Sequence, residues 1–340
     1  MRACPVLVIA AVALPSGLPG GNPEPSRPPV QHASLAWPRP ASPPIRFVTA
    51  LSGAEDVRGK TAQTGDPLRL TKPFGITVDA AGRIFVADPG QRGVLVYDRD
   101  KGTATRWNGN ARIALSGPVG VAIDQGGRLF VADGYRSQVV VFETSGQPVA
   151  TFGGDVLKRP QGIAVDSQRG RVYVADTRLH QVLVFDATTF KLEKVIGGPP
   201  QAGSPGRQVF SSPSHLAVNS KGYLYVSDMW ICRIQVFGPD GSFLQRVTTQ
   251  CRGTTEYDRP HAIAIDRQDR VYVADPNDNS VQIFQPDGKP LEFAAGLKGQ
   301  TGKTSVRTGI AIDRNDRIYL AEQLAGEGRV QVFARNRGRR

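Results

Sequence analysis

Three of the chain's four histidines, His180, His215 and His261, fall in successive copies of one short sequence pattern. Three imidazoles brought together could hold zinc and leave a fourth position open, as catalytic zinc sites do. Other groups nearby suggest recognition instead. Tyr135 and Arg136 sit in DGYRS, Arg178 in DTRLH, and Trp230 in the apolar stretch Met229-Trp230-Ile231. Guanidinium groups donate in a planar fork that fits carboxylate and phosphate. A tryptophan on a loop whose counterparts are polar either packs on its neighbour or anchors a protein partner. Six acids, Asp88, Asp133, Asp176, Asp228, Asp275 and Glu322, recur at one place in each copy. Near a common axis they could bind a hard cation such as calcium. An acid repeated in every copy nevertheless fits a repeated structural need better: accepting backbone N–H groups at a strand end, where an unpaired buried donor costs about 1–3 kcal/mol.

The elements that must position these groups are read from the repetition itself. GITVD, GVAID, GIAVD, HLAVN, AIAID and GIAID recur every 42 to 53 residues. In each copy a second run follows, of the type IFVAD or VYVAD, then a third of the type VLVF, and then a looser fourth. Runs of 4 to 6 residues rich in β-branched and aromatic side chains predict strands, and the turns between them are too short for a parallel crossover. Each copy is therefore a four-stranded meander. One such sheet cannot bury both faces, so six copies should pack face to face in a ring, as propeller blades do. The sixth copy ends in ARNRGRR without a fourth strand, while IRFVTALSG, residues 45–53, stands unpaired ahead of the first. The expected fold is all-β: a six-bladed β-propeller of four-stranded antiparallel blades, closed by strand 45–53 pairing with the last blade.

The pattern P-x-G-I-A-V-D, G-x-I-Y-V-A-D, x-H-x-V-x-V-F, met almost throughout in PQGIAVDSQRGRVYVADTRLHQVLVF, resembles the NHL repeat. The resemblance spans residues 45–334 and implies a six-bladed propeller. The lead-in resembles exported bacterial members rather than the animal ones that carry ubiquitin-ligase domains. Asp133-Gly134-Tyr135 is also similar to a D-G-Y segment of the propeller lyase of peptide amidation, whose P-H-S-type openings carry histidine. Here the openings of copies 1 and 3 have Gly75 and Gly162 instead.

Residues 1–17 combine Arg2, an apolar stretch from Cys4 to Leu14 and small residues after it, the pattern of an export signal. The apolar stretch falls short of the roughly 20 residues that span a bilayer, so no transmembrane segment is expected in the mature chain. Residues 18–44 are a Pro-rich linker, 45–334 the propeller and 335–340 a basic tail. Cys232 and Cys251 flank a predicted hairpin. An oxidising compartment allows a bridge closing a loop of about 20 residues, worth about 3 kcal/mol, although hairpin register sets Cys251 a few residues past direct opposition.

The net charge is +12, and 32 of the 42 basic residues are arginine. Arg83, Arg128, Arg171, Arg270 and Arg317 recur just before the second strand, where they face a first-strand aspartate across a hairpin. Such pairs are worth about 0–1 kcal/mol each, yet their repetition places them in a circle that could attract polyanions. No nucleophile elbow, phosphate-cradling loop or haem-attachment C-x-x-C-H is present.

Three functions stay open. The first is an exported, periplasmic or extracellular monomer that binds a protein or an anionic envelope component through Tyr135, Arg136, Arg178, His180, His215, Trp230 and His261, without catalysis or cofactor. The second is a metal-dependent lyase or hydrolase of the peptide-amidating type, with zinc on His180, His215 and His261. The third is nucleic-acid binding through the basic rim, which an exported chain disfavours.

Overall fold

A run such as Val172-Tyr173-Val174-Ala175 is apolar at every position, so it cannot be a strand with one wet face. In the computed structural model it lies in the strand Arg171–Asp176, in which every residue after the first is buried. The structure describes residues 45–54, 56, 67–198, 210–229, 233–248, 262–275, 280–294, 306–324 and 327–335. Trp230, Cys232, Cys251 and His261 fall outside these residues, as do the leader, the linker and the end of the basic tail.

The strands form six antiparallel sheets of four. In blade 3 they are Pro160–Asp166, Arg171–Asp176, Gln181–Asp186 and Leu192–Gly197, ordered in space as in sequence. The buried side chains of the described residues fall into six clusters, each joining two neighbouring blades. Phe85, Val94 and Trp107 of blade 1, for example, pack on Val121, Leu129 and Phe142 of blade 2. This sandwiching explains why the second and third strands read as unbroken apolar runs. The outer strand of blade 3, by contrast, leaves its first four residues exposed.

Blade 6 consists of Val306–Ile312, Arg317–Leu324, Glu327–Arg335 and, as its outer strand, Ile45–Leu51. The register runs from Ile45 opposite Arg335 to Leu51 opposite Val330, with one irregularity between Phe47 and Thr49. Phe47 meets Phe333 edge-on at 5.7 Å between centroids. Ile45 packs into the cluster between blades 5 and 6, and Leu51 into the one between blades 6 and 1. The N-terminal strand therefore belongs to two interfaces at once.

A meander fixes where its connections lie. First-to-second and third-to-fourth turns share one face, here the hairpin face. Second-to-third turns and the loops between blades share the opposite one, the loop face. Along the axis the six first strands line a narrow channel of about 300 Å³. Gly75, Gly120, Gly162 and Gly309 occupy equivalent positions there. A Cβ on any of them would stand 2.2–2.5 Å from a carbonyl oxygen of the next blade's first strand or its lead-in, so only glycine lets the blades approach this closely.

Removing residues through Leu51 should uncover the edge of Glu327–Arg335 and strip two buried aliphatic side chains from the ring. At about 1.5–3 kcal/mol each, the expected loss is about 3–6 kcal/mol in denaturant unfolding, with concentration-dependent association on size-exclusion chromatography. A truncated chain as stable and monomeric as the full one would contradict closure by this strand.

Candidate functional site

The two faces use their charges differently. On the hairpin face, Arg83, Arg128 and Arg270 each donate Nε–H to the aspartate four residues earlier, Asp79, Asp124 and Asp266, at 2.7, 2.7 and 2.5 Å. Asp79 also accepts the Ala81 and Arg83 N–H groups, and Asp124 the Arg128 N–H. Arg83 and Arg128 further lie over the rings of Phe85 and Phe130, at 5.2 and 5.3 Å. Blade 3 departs from the pattern: Arg169 pairs with Asp166 at 3.1 Å, and Arg171 turns to Glu193 at 3.2 Å. Arg317 donates its backbone N–H to Asp313 at 2.9 Å, and Tyr319 donates its hydroxyl to the same carboxylate. Burial, with the Asp313 charge and hydrogen bond adding to it, pushes the Tyr319 phenol up to about 12. The circle of arginines expected from the sequence is thus engaged largely within its own hairpins.

On the loop face five of the six recurring acids, Asp88, Asp133, Asp176, Asp228 and Glu322, are buried. Asp133 accepts N–H groups from Ser116 and Gly117 in the incoming loop, at 2.7 and 2.9 Å, and from Tyr135 and Arg136 in its own turn, both at 3.2 Å. Asp176 does the same with Lys158 and Arg159, at 2.7 and 2.9 Å, and with Arg178 and Leu179, both at 3.0 Å. Asp88 takes Thr71, Lys72 and Gln91, and Asp228 takes Ser211 and Ser212. Burial pushes the Asp228 carboxyl above its ordinary range, against the pull of the Ser212 and Ser211 N–H groups and the Arg233 charge. Glu322, one methylene longer, accepts instead from Arg329 Nε and Gln331 Nε2, each at 2.8 Å. The side chain of Asp275 lies outside the description.

A second tie recurs in the turns. Gln91, Ser137 and His180 donate side-chain hydrogens to the carbonyls of Arg69, Lys158 and Ser211, at 2.7, 2.9 and 2.7 Å. Ser137 and His180 do so from the left-handed backbone region, with φ of 54° and 57°.

Between these ties lies a cleft of about 1020 Å³ that spans the turns of blades 2 and 3 and reaches Met229 of blade 4. It brings together Tyr135, Arg178 and His180 of the residues singled out from sequence, and adds Lys158, Arg159, Gln161 and Ser211. Arg136 sits in the same turn but does not line the cleft. Lys158, Arg159 and Arg178 are exposed, and no acidic side chain lines the cleft among the described residues. Lys158 and Arg159 had no counterpart in the sequence reading. Their signal was the pair KR directly before the proline of copy 3, where the other copies have at most one basic residue.

His215 goes elsewhere. It stands at the position that is glycine in blades 1, 2, 3 and 6, lines the axial channel, and stacks on Phe74 from the loop entering blade 1 at 5.9 Å with an interplanar angle of 11°. Blades 1 and 4 are opposite in the ring, so the two rings meet across the axis. His180 and His215 therefore line different cavities. Among the described residues no three of His, Cys, Asp and Glu are grouped to hold a metal ion, and no helix is long and apolar enough to cross a membrane.

The NHL repeat is matched at residues 115–142, 157–185 and 257–284, which fall in blades 2, 3 and 5. No curated protein matches the sequence. Solved structures do match the fold. A virginiamycin B lyase from Staphylococcus aureus is 11% identical over 85% of this chain and 99% of its own, with a TM-score of 0.58. A protein from Bacteroides thetaiotaomicron is 15% identical over 85% and 75%, at 0.62. A chain of a nidogen/laminin complex is 18% identical over 72% and 86%, at 0.57.

Replacing Asp133 by alanine should strand the Ser116 and Gly117 N–H groups at about 1–3 kcal/mol each. The expected loss of about 2–6 kcal/mol is read from the thermal or denaturant midpoint, and an unchanged midpoint would refute this role. Repeats and fold together make the chain a six-bladed β-propeller carrying NHL repeats.

Proposed function

We propose that this chain is a non-catalytic binding protein whose loop face, at blades 2 to 4, receives an anionic partner, and that it works outside the cytoplasm as an NHL propeller of the exported bacterial type. One observation carries the reading: Lys158, Arg159 and Arg178 converge on one cleft with no acidic side chain to neutralise them among the described residues. On the hairpin face, by contrast, Arg83, Arg128 and Arg270 each pair with the aspartate four residues earlier. Three cations facing one space cost the fold self-repulsion, which a bound anion relieves. The backbones that carry them are held by the Asp176 carboxylate, so the cations are presented from a rigid frame and less ordering entropy is lost on binding.

The neighbours support a platform use of the fold without naming a ligand, since one belongs to a two-protein complex and another is a lyase. The leader of residues 1–17 and the Pro-rich segment 18–44 support export, and the +12 charge suits an acidic partner. We take the protein to act as a monomer.

Polyglutamate titrated into the protein should bind with an affinity that falls as salt rises. The pair Arg159→Gln and Arg178→Gln should weaken binding about tenfold, equivalent to about 1.4 kcal/mol, while Arg83→Gln on the hairpin face leaves it unchanged. Equal losses from both faces would point to net charge alone and contradict a site in the cleft. Export predicts an N-terminus processed near residue 17 in the native host.

A further inference from the structure

The cleft holds one group that attraction for anions does not need. Tyr135 is 78% exposed, the most exposed large hydrophobic side chain among the described residues. Its backbone is nonetheless held and its ring is packed on one side. Its N–H is held by Asp133, the preceding Gly134 N–H donates to Gly117 O at 2.9 Å, and its ring lies against Gly117. A Cβ on Gly117 would stand 2.5–2.9 Å from three atoms of that ring. Glycine there seats one ring face on the backbone and leaves the other open to solvent. An exposed aromatic ring that is seated so closely forms a stacking platform.

We infer that the cleft recognises an acidic polysaccharide, a chain of pyranose rings bearing carboxylates. This rests on the anion-binding reading above and adds the ring. A sugar offers a flat face of polarised C–H groups, which the electron-rich face of a tyrosine attracts. Its carboxylates suit the guanidinium forks of Arg159 and Arg178, and Lys158 adds a third charge. The half-buried amide of Gln161, which also lines the cleft, can both donate to and accept from ring hydroxyls. An acidic peptide would need the cations but not the platform. Single-stranded nucleic acid would stack bases on aromatic side chains and pair its phosphates with the same cations, and titration with an oligo-dT distinguishes it.

Polygalacturonate and polyglutamate, matched in chain length and charge, would be titrated into the full-length protein at one ionic strength, alongside an oligo-dT. The expected result is about tenfold tighter binding of polygalacturonate than of polyglutamate. Tyr135→Ala should reduce this to within about twofold, by loss of the saccharide term, and Tyr135→Phe should keep it. Because Tyr135 is exposed, both variants should unfold as the wild type does. Equal binding of the two carboxylate polymers, unchanged by Tyr135→Ala, would overturn the saccharide inference and leave anion binding standing. Failure of both to bind would remove the anion reading and this one with it. Tighter, Tyr135-dependent binding of oligo-dT would overturn the inference in favour of nucleic acid.

Discussion

Four carboxylates with no exposed surface, those of Asp88, Asp133, Asp176 and Asp228, hold the loop face together. Taking a carboxylate out of water costs several kcal/mol unless hydrogen bonds replace its hydration. Here the replacement comes from backbone N–H groups in the loop entering the blade and, at Asp88, Asp133 and Asp176, in the blade's own turn as well. Segments 16 to 18 residues apart in sequence are tied to the same two oxygens. A loop on a propeller face would otherwise have few buried contacts to define it. The bond that repeats around the ring is what allows the side chains on these loops to vary without the backbone wandering.

The division between the faces follows. Where the repeat needs a turn to close, it uses an aspartate and an arginine together and neutralises both, as at Asp124 and Arg128. Where it needs a loop anchored, it uses an aspartate against backbone donors. The basic side chains at those positions, Lys158 and Arg159 among them, are left facing solvent. Arg83, Arg128 and Arg270 on the hairpin face are therefore neutralised by their own aspartates, whereas Lys158, Arg159 and Arg178 on the loop face stay available.

Much of this was legible in the sequence because the ring repeats. Unbroken runs such as IFVAD and VYVAD could only be strands covered on both sides, and the missing fourth strand of the last copy pointed to residues 45–53. The acids and arginines were readable as structural pairs for the same reason, although Arg169 takes the place expected of Arg171 on Asp166. What stayed hidden depends on contacts across blades. His215 looks like a companion of His180 in sequence, but it replaces the glycine of the first strand and so lines the axis opposite Phe74. The role of Gly117 under Tyr135 could not be read either, since two residues 18 positions apart meet only once the incoming loop is pinned. Lys158 and Arg159 were visible as a basic pair but had no reason to be joined to Arg178 until Asp176 brought their backbones together. Trp230, His261 and the two cysteines of blade 4 lie beyond the described residues.

Hydrogen exchange resolved to single amides in Asp176→Ala, compared with the wild-type chain, tests the central claim most directly. If the buried carboxylate anchors the cleft, the N–H groups of Lys158, Arg159, Arg178 and Leu179 should lose protection by at least about tenfold, which corresponds to about 1.4 kcal/mol. Those in the second and third strands of blade 1 should keep theirs. Unchanged protection at the four amides in a folded variant would show that the loop face is held by something else.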